Sequence, residues 1–470
     1  MESKQVMDVK RARFEFNATV FQENLERVSR ALLGPNLKLA PVLKANAYGH
    51  GLSLVYHELE SAPKTTRDKI AFVAVATLSE ARQLLPRDRD DRAHFDILIT
   101  GGCGDASEVQ AGLKPHTDRL HFGLSGRAAI EALNERAREL ETRLKGHICV
   151  NVGLGTLGFS LEEVGRFDPC HFPNLDIVGL FAAGSFPTTA CEEVEEMGRQ
   201  REVFQKAREA LTGKLASVGR RLQYYHFESS WAGTPQEDFA GNVWRVGRLL
   251  YGLEEPIPRD GPCRRGPESQ PCLRLVTYVR AVHALEANEY VGYEGAFRAP
   301  QRMLVGVCEG GYADGLPPAD FSLEVAGASS DAHDPAVLRP AAAIFHPDDP
   351  GHAVWCPLVG RPTMDYFFID LTPALESPSF RDLGQARYLG ARAVTLGPPV
   401  WRTASNGGSS AVAFDNLPGF RFVSQLTEWA RFARVSVYEI AARLSSPRLD
   451  RVVSRRHGGH WVNDLGRTRS

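Results

Sequence analysis

PVLKANAYGHG, Pro41–Gly51, joins an apolar run ending in a lysine to a turn that carries Asn46, Tyr48, His50 and two glycines. The run it closes, LKLAPVL (Leu37–Leu43), has the length and apolar density of a strand buried on both faces. Similar runs follow at Ile70–Ala76, Phe95–Thr100, Arg119–Leu124, His147–Val152, Leu175–Phe181, Leu222–Phe227 and Asn242–Val246. Between them lie stretches such as LSEARQLLP, GRAAIEALNERARELETRL and CEEVEEMGRQREVFQKAREAL, whose apolar residues recur at helical spacing. This alternation predicts an α/β fold, a (β/α)8 TIM barrel over residues 13–253. A doubly wound sheet is the alternative.

After Leu253 the texture changes. Residues 254–271, EEPIPRDGPCRRGPESQP, are rich in Pro, Gly and charge and predict a linker. Beyond it LRLVTYVRAVHAL, RMLVGVC, FSLEVAG, AVWCPLVG and YFFIDL read as short strands, so residues 272–450 are expected to form a C-terminal β-rich domain. Within it the Ser, Asp, His and Pro content of Ala328–Ala353 predicts a surface insertion outside the core. The basic residues 451–470 are expected to be a flexible tail.

Composition narrows the classes. The chain has 470 residues, and 55 basic against 57 acidic side chains leave a net charge of -2. No basic excess points to nucleic acid or an anionic membrane, so a small molecule is the expected partner. The N-terminus lacks an apolar core of signal-peptide length, and no apolar run is long enough to span a bilayer, which predicts a cytoplasmic protein. Cys103, Cys149, Cys170, Cys191, Cys263, Cys272, Cys308 and Cys356 are scattered without a CxxC. They predict reduced thiols, with neither a disulfide framework nor a metal site.

The lysine is the chemical centre of this reading. Barrel enzymes carry their chemistry at the C-terminal ends of the strands, and Lys44 stands at the end of the first one. Partial desolvation there lowers an amine's pKa and frees its lone pair for imine formation. A snorkelling lysine at a strand end is the plain alternative, but Asn-Ala-Tyr-Gly-His-Gly after it is more than a helix start needs.

KANAYGHG, between an apolar strand and the helix GLSLVYHELES, resembles the cofactor-lysine segment of the alanine racemases. VATLSEARQLL, HFESSWAG, WRVGRLLYGL, VGYEGAF, GGYADG and VGRPTMD extend the likeness from about Arg13 to Arg448. The resemblance implies a pyridoxal 5'-phosphate enzyme that interconverts L- and D-alanine, or a similar small amino acid. By the same resemblance Lys44 would hold the cofactor covalently. Tyr48, Ser230 and the backbone around Gly247 and Arg248 would hold its phosphate, the Arg248 side chain itself being expected at the surface. Arg245 would meet the pyridine nitrogen, and Lys44 and Tyr293 would form the two-base pair. Tyr312, Met364, Asp365 and Thr156 would bind the substrate. The family also implies a homodimer with the site at the subunit interface.

Departures cluster around the substrate carboxylate. Where the family has a lysine and an arginine, this chain has Cys149 and Thr156. After GLF the family's stacking histidine is missing, with Ser185 nearby, and ARLSSPRLDR lacks the family's phosphate-binding tyrosine. A threonine donates a hydrogen bond but supplies no charge. Two alternatives follow: a related enzyme acting on another amino acid (a serine racemase, aldolase or decarboxylase), or a non-catalytic homologue that binds the cofactor.

Overall fold

The computed structural model describes residues 12–464 except 33, 35, 86–94, 103–105, 185–189, 228–240, 254–266, 320–324, 327–336, 350–351, 381–382, 384–387, 389–390, 396–412, 416–419, 424–442, 445–449 and 458–459. Strand β1 (Arg13–Asn17) opens the chain and leads into a helix, Ala18–Arg30, capped by the Asn17 side chain. The expected barrel strands all form: β2 (Lys38–Pro41), β3 (Val73–Val75), β4 (Ile97–Ile99), β5 (Leu120–Leu124), β6 (Leu144–Val150), β7 (Leu175–Ala182), β8 (Tyr224–His226) and β9 (Val243–Val246). β3 to β8 pair in parallel in sequence order, and β2 pairs in parallel with β9. Parallel bridges Leu39–Ile70 and Val42–Ala74 tie β2 to β3. Asn242 ties β8 to β9, since its N–H donates to the Tyr225 carbonyl at 2.8 Å. The ring is closed, which rules out the doubly wound alternative.

Alternate residues of these strands point into the barrel. Ala40, Phe72, Ala74, Leu98 and Val243 make a small apolar cluster there, with Val42 and Tyr224 packed on it. Beside it the filling is aromatic and polar: Phe72 lies edge-on to His147 and Tyr224, and His147 stacks on Tyr224 at 5.7 Å. Gly179 on β7 makes this possible, because a Cβ there would fall 2.1 Å from the His147 ring.

The second domain has a main sheet built on β10 (Leu273–Leu285), β13 (Met303–Glu309), β14 (Val325–Ala326), β15 (Val337–Phe345), β16 (His352–Val359), β17 (Tyr366–Asp370), β18 (Arg392–Thr395), β19 (Ala413–Asp415), β20 (Phe420–Val423), β21 (Asp450–His457) and β22 (His460–Asp464). Among the described residues, β11 (Tyr290–Val291) and β12 (Phe297–Arg298) pair only with each other. The order β13-β17-β16-β15-β18-β10 closes on itself through a further β10–β13 pairing. This confirms a β-rich C-terminal half.

Three expectations need correction. The segment 328–353 is no surface insertion where it is described: β15 pairs with β16 and β18, and Ala341, Ala342, Ala343, Ile344 and Phe345 are buried. Alanine is a weak strand signal, yet here small side chains suit a strand packed between neighbours. Nor is 451–470 loose throughout. β21 pairs in parallel with β1, Arg13 opposite Asp450 and Asn17 opposite Ser454, and β22 folds back antiparallel on it. Its basic residues are used within the fold: Arg455 pairs with buried Glu58, and Arg451 Nε donates to the Gly49 carbonyl at 3.0 Å. Lastly, residues 13–17 belong to the second domain's sheet, since β1 also pairs antiparallel with β10. Of the predicted linker, residues 267–271 are described, and Asn24 holds the Gln270 backbone on both sides.

Candidate active site

Lys44 begins a turn of unusual hand. Ala45, Asn46, Ala47 and Tyr48 have φ of 55°, 54°, 53° and 51°, a left-handed turn made without glycine. Such a conformation costs about 1–2 kcal/mol per residue, so surrounding bonds must hold it. Glu80 accepts from Ala45 N–H at 2.6 Å while its other oxygen accepts from Ala76 and Thr77. Asn46 Oδ1 accepts from Leu52 N–H at 2.7 Å. His50 is fully buried, and burial pushes its pKa down to about 4. Its neutral ring therefore donates from Nδ1, to the Tyr48 and Ala47 carbonyls at 2.8 and 3.1 Å.

The turn leaves Lys44 at the barrel mouth and sends Tyr48 inward. Lys44 as a residue is open to solvent, but its amine is crowded. Burial lowers its pKa, Arg245 lowers it further, and Glu80 opposes both. Tyr48 packs on Tyr251, ring centroids 5.2 Å apart. A Cβ on Gly247 would lie 2.8 Å from the Tyr48 hydroxyl, so the glycine is what allows this approach. The Arg248 side chain, expected at the surface, is buried, because the short helix Arg248–Tyr251 is enclosed along its whole length.

Arg245, opposite Ala40 in the β2–β9 register, is buried and fixed. Nη2 donates to the Ala182 and Phe227 carbonyls at 2.5 and 3.0 Å, and Nη1 to His226 Nδ1 at 3.0 Å. The contacts continue inward: His226 Nε2 lies 3.0 Å from His147 Nδ1, His147 Nε2 2.9 Å from His121 Nδ1, and His121 Nε2 3.0 Å from Asp96 Oδ2. Lys145 Nζ also donates to Asp96 Oδ2, at 3.2 Å. The sequence reading missed these histidines. Their signal was a histidine inside each of the apolar runs RLHFGL, HICVNV and LQYYHF.

The other expected residues lie elsewhere. Tyr293, 59% exposed, follows Gly292, which packs against the Arg361 carbonyl, and Glu294 pairs with Arg361 at 2.7 Å. Backbone bonds from Tyr312 to Thr363, Ala313 to Met364 and Gly310 to Asp365 join the remaining three, Tyr312, Met364 and Asp365, into one surface of the second domain. Tyr312, Met364 and Tyr366 are exposed on it, and Tyr290 is exposed on β11. Lys44 and Tyr293 make no hydrogen bond to each other among the described residues. Thr156 is exposed between exposed Leu154 and Leu157. Cys149 is buried near Arg245 and its thiol donates to the Leu157 carbonyl at 3.6 Å; burial pushes its pKa up to about 11, with Arg245 opposing. Ser230, Ser185 and most of SSPRLD lie outside the described residues. Among the described residues no cluster suits a metal ion, and no helix is long and apolar enough to cross a membrane.

A closed barrel with a lysine just beyond its first strand, β2, followed by a sheet-rich domain, defines a class of barrel enzymes with an amine at the mouth. The alanine racemase N-terminal domain matches residues 17–255 and the alanine racemase C-terminal domain residues 272–393. The chain belongs to the alanine racemase family, whose members are isomerases. It is 30% identical to the alanine racemase of Acidithiobacillus ferrooxidans over 320 residues, 66% of this chain and 77% of that protein. The amino-acid racemase of Enterococcus faecalis is 27% identical over 322 residues, 67% of this chain, and the chain spans 42% of that longer relative. The crystal structure of alanine racemase from Bartonella henselae, with covalently bound pyridoxal phosphate, shares the fold: TM-score 0.63 and 17% identity over 94% of this chain and 99% of that one.

Proposed function

We propose that the chain is a pyridoxal-phosphate-dependent racemase of alanine or a similarly small amino acid. The observation that carries this reading is Lys44 just beyond β2 with its amine pKa lowered, beside a buried, fixed Arg245. The residues suit the cofactor: a crowded amine for its aldehyde, a guanidinium for its ring nitrogen, and at Gly247 a close approach beside the Tyr48 hydroxyl for its phosphate. Ser230 and the backbone of Gly247 and Arg248 would complete that cradle. When bound, the cofactor supplies an electron sink for the charge left by loss of the α-proton.

Lys44 Nζ takes or returns the α-proton on one face, and the Tyr293 hydroxyl serves the other. Arg245 cannot give up a proton, so a cofactor ring nitrogen held against it would stay unprotonated and the sink would be weak. That limits competing decarboxylation and transamination. The exposed Tyr290, Tyr293, Tyr312, Met364 and Tyr366 fit a homodimer in which each subunit lends Tyr293, Tyr312, Met364 and Asp365 to its partner's barrel mouth. The second reading, another amino acid on the same scaffold, is favoured by Cys149 and Thr156, which place a neutral thiol and a neutral hydroxyl where the family carries charge.

Replacement of Tyr293 by Phe tests the pairing. Exchange of the α-proton with deuterated water, followed by proton NMR on each pure enantiomer, should persist for the one whose proton faces Lys44. For the other enantiomer, exchange should fall by ~10²- to 10⁴-fold, as should net racemisation. Equal loss for both would refute the two-base assignment. The same survey over several amino acids in the unaltered protein separates alanine from other substrates.

A further inference from the structure

The line of hydrogen bonds behind Arg245 has a direction. A guanidinium only donates, so His226 Nδ1 accepts from Arg245 Nη1 and the one proton of the neutral ring sits on Nε2. That proton points at His147 Nδ1, which places the His147 proton on Nε2 and aims it at His121 Nδ1. The same step places the His121 proton on Nε2, where Asp96 Oδ2 accepts it. A carboxylate only accepts when ionised, and Lys145 Nζ donates to the same oxygen. One end of the line is thus a pure donor and the other a pure acceptor, and each of the three imidazoles between them carries its proton on Nε2.

The surroundings support this reading. All three rings are buried, enclosed by Phe72 and Tyr224, and Phe181 stacks on His226 at 5.4 Å. Burial pushes the pKa of each ring down. For Asp96 burial acts the other way, but the His121 hydrogen bond and Lys145 hold its carboxyl below the usual range. A second proton on any ring would set two donors face to face.

We propose that the three histidines form a line locked in one direction from both ends, by Arg245 near the barrel mouth and by Asp96 at the barrel end remote from Lys44, each sufficient alone. With Asp96 in place, His226 turns a lone pair towards the guanidinium's position even without the guanidinium. That the oriented guanidinium then serves a cofactor ring nitrogen rests on the function proposed above. The orientation itself does not.

The test is nitrogen-15 NMR of histidine-labelled, full-length protein as purified. His226, His147 and His121 should each show a pyrrole-like Nε2 and a pyridine-like Nδ1. Any of the three with the proton on Nδ1 overturns the proposal. In Asp96→Ala the guanidinium still donates to His226 Nδ1, so His226 should keep its single pattern. In Arg245→Met the Asp96 end alone should keep it. With both substitutions together His226 should become a mixture of both tautomers. Asp96→Asn, whose amide oxygen can still accept, combined with Arg245→Met should restore the single pattern. If the double variant fails to fold, His121→Phe with Arg245→Met cuts the line while keeping the aromatic volume and should release His226 in the same way. A mixture already in Arg245→Met alone, or a single His226 pattern once both ends are cut, refutes a role for Asp96. Visible absorbance of the same samples separates the two ideas. A colourless protein with the expected tautomers would sink the cofactor reading alone, whereas a coloured one with disordered tautomers would sink the line alone.

Discussion

At the scale of the residue, the Lys44 ammonium carries a cost in stability. Its folded pKa lies below the ordinary 10.5 because burial, and then Arg245, disfavour the ammonium. Between the folded and unfolded values the unfolded chain binds more protons, so stability rises with pH through that window. Below it the ammonium costs stability in full. Lys44→Met should therefore raise the urea midpoint of protein treated to remove bound carbonyl compounds, and the gain should fade as pH climbs towards 10.5. A gain that stays constant across this range would show that the amine is not the source of the cost. Cys149 makes a contrasting case a short distance away. A thiol pushed up to about 11 stays neutral near pH 7, so it brings no counter-charge to Arg245.

At the scale of the element, the turn Ala45–Tyr48 holds backbone strain directly beside Lys44. Ala45→Gly keeps the backbone N–H that Glu80 accepts and removes a left-handed alanine. The relief of about 1–2 kcal/mol, less the extra unfolded-state freedom of glycine, about 0.5–1 kcal/mol, predicts a net gain of roughly 0.5–1 kcal/mol in equilibrium unfolding. Ala45→Val should lose stability instead, since a β-branched residue fits that region worst. The strands and the position of Lys44 were legible because apolar runs, helical spacing and a lysine at a strand end are local patterns. The hand of the turn was not: KANAY contains no glycine to announce positive φ, and the bonds that hold it come from Glu80, His50 and Arg451. The histidine line was hidden for a related reason. A strand buried on both faces shows no alternation, so His121, His147 and His226 read as ordinary members of apolar runs. Nor could burial of Arg248 or β15 be read locally, because both depend on neighbours distant in sequence.

At the scale of the whole molecule, the two ends of the chain are one structural unit. Ending the chain at Leu449 would remove β21, leave one edge of β1 unpaired, and strip Glu58 of Arg455 and Gly49 of Arg451. An unpaired buried carboxylate alone costs about 3–5 kcal/mol. The truncated protein should lose its cooperative thermal transition in calorimetry, or show it far below that of the full chain; an unchanged transition would mean that β21 is dispensable. Arg451 reaches Gly49 across 402 positions of sequence. A ribosome makes the turn that carries Lys44 long before the side chain that completes its support. Until Arg451 has been added, a growing chain carries Lys44 on an unfinished turn, so the completion of that turn is timed by the synthesis of β21.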